Sequence, residues 1–325
     1  MFACRERLDE LGRLAGFRVL RPLGAGGMGL VFEAEDLALR RRIALKVMKP
    51  AFAAVPKHRQ RFMREARAAA ALRHDHIIEI YQVGEDNGVA FLAMPLLAGG
   101  SLADCLSRQP VLALPYVLLI GREIAAGLAA AHAAGVIHRD IKPDNIWLEA
   151  PADCRMPESA SRNPQLESGR VKLLDFGLAR VLEDDDGLSM LGAVVGTPGY
   201  IAPEQAEGAV ADARSDLFAF GCVLYLMSTG HEPFPGATRT ARLAAAVHHQ
   251  PLPPHRVDPN VPQSLSDLIM RLLAKNPDAR PQSAAEVMAA MNLLADIDES
   301  EYQGGAVLNS STVGTRSSGP QTEFC

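Results

Sequence analysis

The sequence predicts an α+β fold of two lobes: a small β-rich N-terminal lobe with one helix, and a larger, mainly α-helical C-terminal lobe. Three observations predict it. From Phe17 the chain runs in short alternating stretches, FRVLRPLG, GLVFEAED and RRIALKVMKP, each closed by glycine, charge or proline, which is the pattern of an antiparallel meander. Residues 57–72, KHRQRFMREARAAAAL, place Phe62, Ala66 and Ala69 on one helical face. After Ser101 the helical period takes over in PYVLLIGREIAAGLAAAHAAG, DARSDLFAFGCVLYLMSTG, QSLSDLIMRLLAK and SAAEVMAAMNLLAD.

Taken in order, residues 1–16 read as an N-terminal extension and 17–93 as the first lobe. HIIEIYQVGE and GVAFLAMPLL supply its last two strands. Residues 94–100 form a hinge ending at Gly99 and Gly100, and 101–296 form the second lobe. Such a junction leaves a cleft, where ligands bind. Residues 149–170 are polar, rich in proline and serine, and lie between two apolar segments that would pair as a hairpin, so they read as a surface-loop insertion. Residues 297–325 are rich in Ser, Thr and Gly and read as a disordered tail.

Composition narrows the function. With 325 residues, 48% of them hydrophobic, the chain can bury a sizeable core. A formal net charge of −5 provides no global basic field, which argues against nucleic acid as a partner. Cys4, Cys105, Cys154, Cys222 and Cys325 are scattered without a CxxC pair, so neither a disulfide framework nor a zinc site is expected. No apolar run is read as approaching the ~20 residues that span a bilayer, and the first ten residues lack a signal-peptide core. A cytoplasmic location is the expectation. His74-Asp75-His76 and His248-His249 have no further ligands at metal-binding spacing, and Glu183 to Asp186 read as a solvated run.

Four motifs carry chemistry. GAGGMGLV sets Gly24, Gly26 and Gly29 in GxGxxG spacing, which lets backbone approach phosphates; the strand-like VFEAED after it favours a glycine hairpin over a dinucleotide-binding helix. Lys46 sits in the apolar strand IALKV and needs an anionic partner. Glu65, on the inner face of the following helix, could supply it. The alternative places Lys46 at the surface and Glu65 beside Arg61 or Arg64. HRDIKPDN gathers Asp140, Lys142 and Asn145, and VKLLDFG ends an apolar strand at Asp175. Asp140 can accept a hydroxyl proton, Lys142 can neutralise a phosphoryl group, and Asn145 with Asp175 can hold a divalent metal through oxygen. Together they suit phosphoryl transfer from a nucleotide under the glycine loop.

The ordered set GAGGMGLV, IALK, Glu65, HRDIKPDN, DFG, GTPGYIAPE and SDLFAFG, spread over residues 17–296, resembles the Hanks-type, eukaryotic-like bacterial serine/threonine protein kinases. The resemblance implies the bilobal protein-kinase fold, ATP as phosphoryl donor, Mg²⁺ (with Mn²⁺ as an alternative) as metal, and proteins carrying Ser or Thr as substrates. It implies Asp140 as catalytic base, with Lys142, Asn145, Lys46, Glu65 and Thr197 completing the catalytic set, and Asn145 and Asp175 as metal ligands. Around the nucleotide it places Gly24, Ala25, Gly26, Gly27, Met28, Gly29, Val31, Ala44, Lys46, Met94, Pro95, Leu97, Ser101, Trp147 and Asp175. Glu204 would pair with Arg280, Asp216 would brace the HRD loop, and His138 would pack beneath it. Arg139 would answer a phosphate between DFG and APE, for which Ser189 is the candidate, with trans-autophosphorylation in a transient dimer.

Two positions depart from the pattern. Pro95 stands where an acidic residue is usual and lacks an N–H, although the family's adenine contacts use its carbonyl and the N–H of Leu97. Ala69 replaces a larger residue in the stack that reaches Phe176, which either loosens the active arrangement or is offset by a neighbour. Competing readings are a binding scaffold without catalysis, a small-molecule kinase on the same fold, and a non-enzymatic adaptor. The full set of chemical residues speaks against the first and last, and GTPGYIAPE, a platform for a polypeptide, against the second.

Overall fold

The computed structural model describes residues 10–27, 29–150, 170–176 and 197–295. Met28, residues 1–9, most of the 149–170 insertion, the stretch with Gly177, Glu183 to Asp186 and Ser189, and the 297–325 tail lie outside the described residues.

Six antiparallel strands form the N-terminal sheet in the order β1-β2-β3-β4-β6-β5. They are β1 Gly12–Leu14, β2 Phe17–Ala25, β3 Gly29–Asp36, β4 Arg41–Met48, β5 Gln82–Asp86 and β6 Val89–Pro95. The sheet therefore begins before Phe17, because β1 pairs with β2 from Gly12↔Val19 to Leu14↔Phe17. β4 lies between β3 and β6, and its last six residues are all buried; a strand covered on both faces shows a continuous apolar run in place of alternation. Lys46 sits within that run.

The lobe carries two helices where the sequence suggested one: a single turn, α1 Pro50–Ala53, and the expected α2 Pro56–Ala70. Phe62, Ala66 and Ala69 form the buried stripe of α2, and Phe62 and Ala66 pack with Met48, Ala90 and Leu92. The predicted strand HIIEIYQVGE is regular only from Gln82. Its first part leaves the N-terminal sheet for the other lobe, since Ile78 N–H donates to Leu173 O (3.0 Å) and Leu173 N–H to His76 O (2.9 Å).

A three-stranded sheet, β7 Gly99–Ser101, β8 Ile146–Glu149 and β9 Arg170–Leu173, opens the second lobe. β8 and β9 form the hairpin expected around the insertion, in register from Ile146↔Leu173 to Glu149↔Arg170. Gly99 is required at the hinge: at φ 104° a Cβ would lie 2.1 Å from Leu148 O.

The helices are α3 Leu102–Arg108, α4 Leu114–Ala133, α5 Pro203–Ala206, α6 Ala213–Thr229, α7 Arg239–His248, α8 Pro254–Val257, α9 Gln263–Leu272 and α10 over 284–295. α6 is buried along nearly its whole length, stopped by left-handed Gly230, and forms the axis of the lobe. α4 corrects the expectation that no segment approaches a membrane span: by length and composition it could cross one. Half of its apolar window is buried in the fold, where α4 packs on β9 and α6.

Candidate active site

β4 delivers Lys46 to the cleft, and Gly29 on β3 makes room for it. A Cβ at Gly29 would sit 3.1 Å from Lys46 Cε and 3.3 Å from Val47 O. Only 8% of Lys46 is exposed, so its ammonium needs an anion. That partner is Asp175, whose Oδ1 lies 2.6 Å from Lys46 Nζ. Burial opposes ionisation of Asp175, but the charge of Lys46 and the hydrogen bond from it prevail and hold the carboxyl below its usual range. α2 turns Glu65 inward as expected, with both carboxylate oxygens buried; the short ion pair of Lys46, however, is made with Asp175.

The loop of HRDIKPDN is set from below by Asp216 at the start of α6. Asp216 Oδ2 accepts from His138 N–H at 2.8 Å, and Oδ1 accepts from Arg139 N–H at 2.7 Å. These bonds help to hold Arg139 at φ 67°, a left-handed conformation costly for any residue other than glycine. Asp175 is likewise left-handed, at φ 63°. His138 is fully buried, lies 4.4 Å from the ring of Phe176, and bonds Leu174 O at 2.8 Å through Nε2. Burial lowers its pKa against the pull of Asp216 and Asp140, which suits a packing imidazole better than a proton carrier.

Asp140 is gripped by one oxygen. Its Oδ2 takes Lys142 Nζ at 2.8 Å and Asn145 Nδ2 at 2.8 Å. Asn145 Nδ2 also reaches Asp140 O at 2.8 Å, so both amide hydrogens are used and its Oδ1 is left as an oxygen donor. Among the described residues Asp140 Oδ1 has no hydrogen-bond partner. Lys142 also donates to Thr197 Oγ1 at 3.0 Å, which ties GTPGYIAPE to the loop. Below that segment Glu204 receives Arg280 through two 2.8 Å bonds and Ser215 Oγ at 2.7 Å.

The other predicted nucleotide residues, Met28 apart, fall on the strands around Lys46, the glycine turn and the hinge. Gly24 and Ala25 end β2, Gly26 and Gly27 form the turn, and Val31 on β3 is opposite Lys46. Ala44 is opposite Met94, and Pro95 and Leu97 follow in the hinge. Trp147 is paired with Ser101, and its indole donates to Ala98 O at 2.8 Å. Ser101 is engaged as the N-cap of α3, with its Oγ 2.6 Å from Asp104 Oδ2. Ala69 borders a cavity of about 10 Å³ together with Ala66, Met94 and Phe176. The neighbours thus offset the small side chain, leaving barely the space of one water.

Asn145 and Asp175 offer amide and carboxylate oxygens, hard donors that fit Mg²⁺ or Mn²⁺ and not a thiophilic metal. Among the described residues no group of three His, Cys, Asp or Glu could hold a metal ion. Sequence reasoning missed His132 on α4, whose Nε2 lies 2.8 Å from Asp216 Oδ2, and Lys49, whose Nζ reaches the glycine turn. Nothing in the local pattern marks either, since both partners are distant in the chain.

The family model of the protein kinase domain matches residues 17–292. The chain belongs to the protein kinase family. Bacterial kinases are among its relatives: it is 40% identical to serine/threonine-protein kinase pkn2 of Myxococcus xanthus over 87% of this chain and 33% of that one. It is 37% identical to serine/threonine-protein kinase PknB of Mycolicibacterium smegmatis over 86% of this chain and 42% of that one. The crystal structure of the Mycobacterium tuberculosis PknI kinase domain is similar, with 30% identity and a TM-score of 0.64 over 87% of this chain and 96% of that one. The chain thus spans less than half the length of the curated relatives it matches. This kinship puts it among the Hanks-type bacterial serine/threonine kinases, with the bilobal kinase fold the sequence predicts.

Proposed function

We propose that this kinase domain transfers the γ-phosphoryl group of ATP to serine and threonine hydroxyls of proteins. The observation that carries the reading is the grip on Asp140, with Oδ2 held by Lys142 and Asn145 and Oδ1 without a hydrogen-bond partner among the described residues. In this reading Asp140 Oδ1 takes the proton as the hydroxyl oxygen attacks the γ-phosphorus. The bond to the β-phosphate oxygen breaks and ADP leaves. Lys142 balances charge on the transferring group, while Lys46 leaves Asp175 in part to hold the α- and β-phosphates. Asn145 Oδ1 and Asp175 would hold Mg²⁺, or Mn²⁺, which when bound neutralises triphosphate charge. Thr197 positions Lys142, and Glu65 steadies Lys46 from α2.

Signalling in the cytoplasm and trans-autophosphorylation between transiently paired copies complete the proposal, with Arg139 answering the new phosphate. Incubation with γ-labelled ATP, Mg²⁺ and a mixed protein extract, followed by phosphoamino-acid analysis, tests it. Label on phosphoserine and phosphothreonine is expected. Label on phosphotyrosine alone, or none beyond free phosphate, contradicts it.

A further inference from the structure

Lys49 stands where β4 gives way to α1, three residues beyond Lys46. Its ammonium donates to two carbonyls of the glycine turn, Gly26 O at 2.6 Å and Gly27 O at 3.0 Å. The backbone that presents it is fixed on both sides. Met48 is in register with Gly29, and Pro50 biases Lys49 to the extended conformation it adopts, φ −61° and ψ 144°. Its carbonyl accepts from Phe52 N–H at 3.0 Å and Ala53 N–H at 2.9 Å. The backbone that carries the ammonium is therefore fixed.

Strand alternation sends Lys46 and Lys49 to opposite faces of the sheet, and Lys46 faces the cleft, where it meets Asp175. In a trans peptide the C=O and the next N–H point in opposite directions. A Gly26 carbonyl drawn to Lys49 therefore turns the Gly27 N–H toward the cleft side. The Gly26 N–H is already spent on Gly29 O at 2.9 Å, so Gly27 is the donor that this arrangement frees. Glycines alone would not hold it, since they sample both hands of the backbone with little preference.

We propose that Lys49 is a positioning residue that holds the glycine turn by its carbonyls, so that the amide of Gly27 faces the nucleotide phosphates. The inference rests on the nucleotide reading above. Calorimetric affinities for ATP, ADP and adenosine in the wild type, Lys49→Met and Lys49→Arg test it. Lys49→Met should weaken ATP and ADP by roughly three- to tenfold, the scale of one modest hydrogen bond, and leave adenosine unchanged. Lys49→Arg should restore most of the loss. Equal weakening of all three ligands, or none, overturns the role of Lys49. A wild-type protein that binds neither ATP nor adenosine overturns the nucleotide reading itself, and the proposal with it.

Discussion

Lys46 Nζ and Asp175 Oδ1 lie 2.6 Å apart, and the pair joins β4 of the first lobe to the segment after β9 of the second. Each charge is costly without the other, because only 10% of the Lys46 side chain and 33% of the Asp175 side chain are exposed. Lys46→Met and Asp175→Asn should each destabilise the fold, and the double variant should lose less than the sum. A coupling of about 0.5–3 kcal/mol is expected from urea unfolding of all four proteins. Strict additivity would show that the two side chains do not meet in solution.

Glu204 and Arg280 hold the substrate-side segment to the base of the helical lobe, with the Arg280 side chain fully buried. Burial works against the Glu204 charge, but hydrogen bonds from Arg280 and Ser215 outweigh it and keep the carboxyl below its usual range. A depressed folded value means that the unfolded chain takes the proton first. The pair's contribution is therefore complete above the unfolded value of about 4.3 and is lost as pH falls through the folded one. Glu204→Gln should cost about 3–5 kcal/mol at pH 7, and the gap to wild type should shrink in acid. A gap that stays constant down to pH 3 contradicts the assignment.

Thr197 contributes one hydroxyl, on Lys142. Thr197→Val should lower kcat about tenfold with the KM for ATP unchanged, while Thr197→Ser should retain most activity, since one charge-assisted bond is at stake. Steady-state kinetics with a peptide substrate decide it. Loss in Thr197→Ser with Thr197→Val near wild type would assign the effect to the methyl group and packing.

The motifs were legible because each binds its chemistry to neighbours in the chain. Asp140, Lys142 and Asn145 fall within six residues, and the loop between them does the positioning. The hairpin of β8 and β9 and the stripe of α2 followed from period alone. Less could be read where the partner is remote. Ile77 and Ile78 have the composition of a strand, and only the presence of Leu173 sends them to the other lobe. The anion for Lys46 was sought on the next helix, where spacing is easily judged, but the left-handed turn at Asp175 brings a closer one. His132 gave no signal at all, because its role exists only once α4 and α6 pack. The apolar length of α4 was overlooked in the sequence, because its one Arg-Glu pair and two glycines interrupt a run that is nonetheless long and apolar enough to pass for a membrane span, although half of it is buried in the fold.

The most direct measurement is the turnover of Asp140→Asn beside its ATP affinity. The substitution keeps the shape of the side chain and removes the proton acceptor. The account predicts a fall in kcat of about 10² or more on a serine- or threonine-containing protein, with the dissociation constant for ATP nearly unchanged. Near-normal phosphorylation by this variant would contradict it.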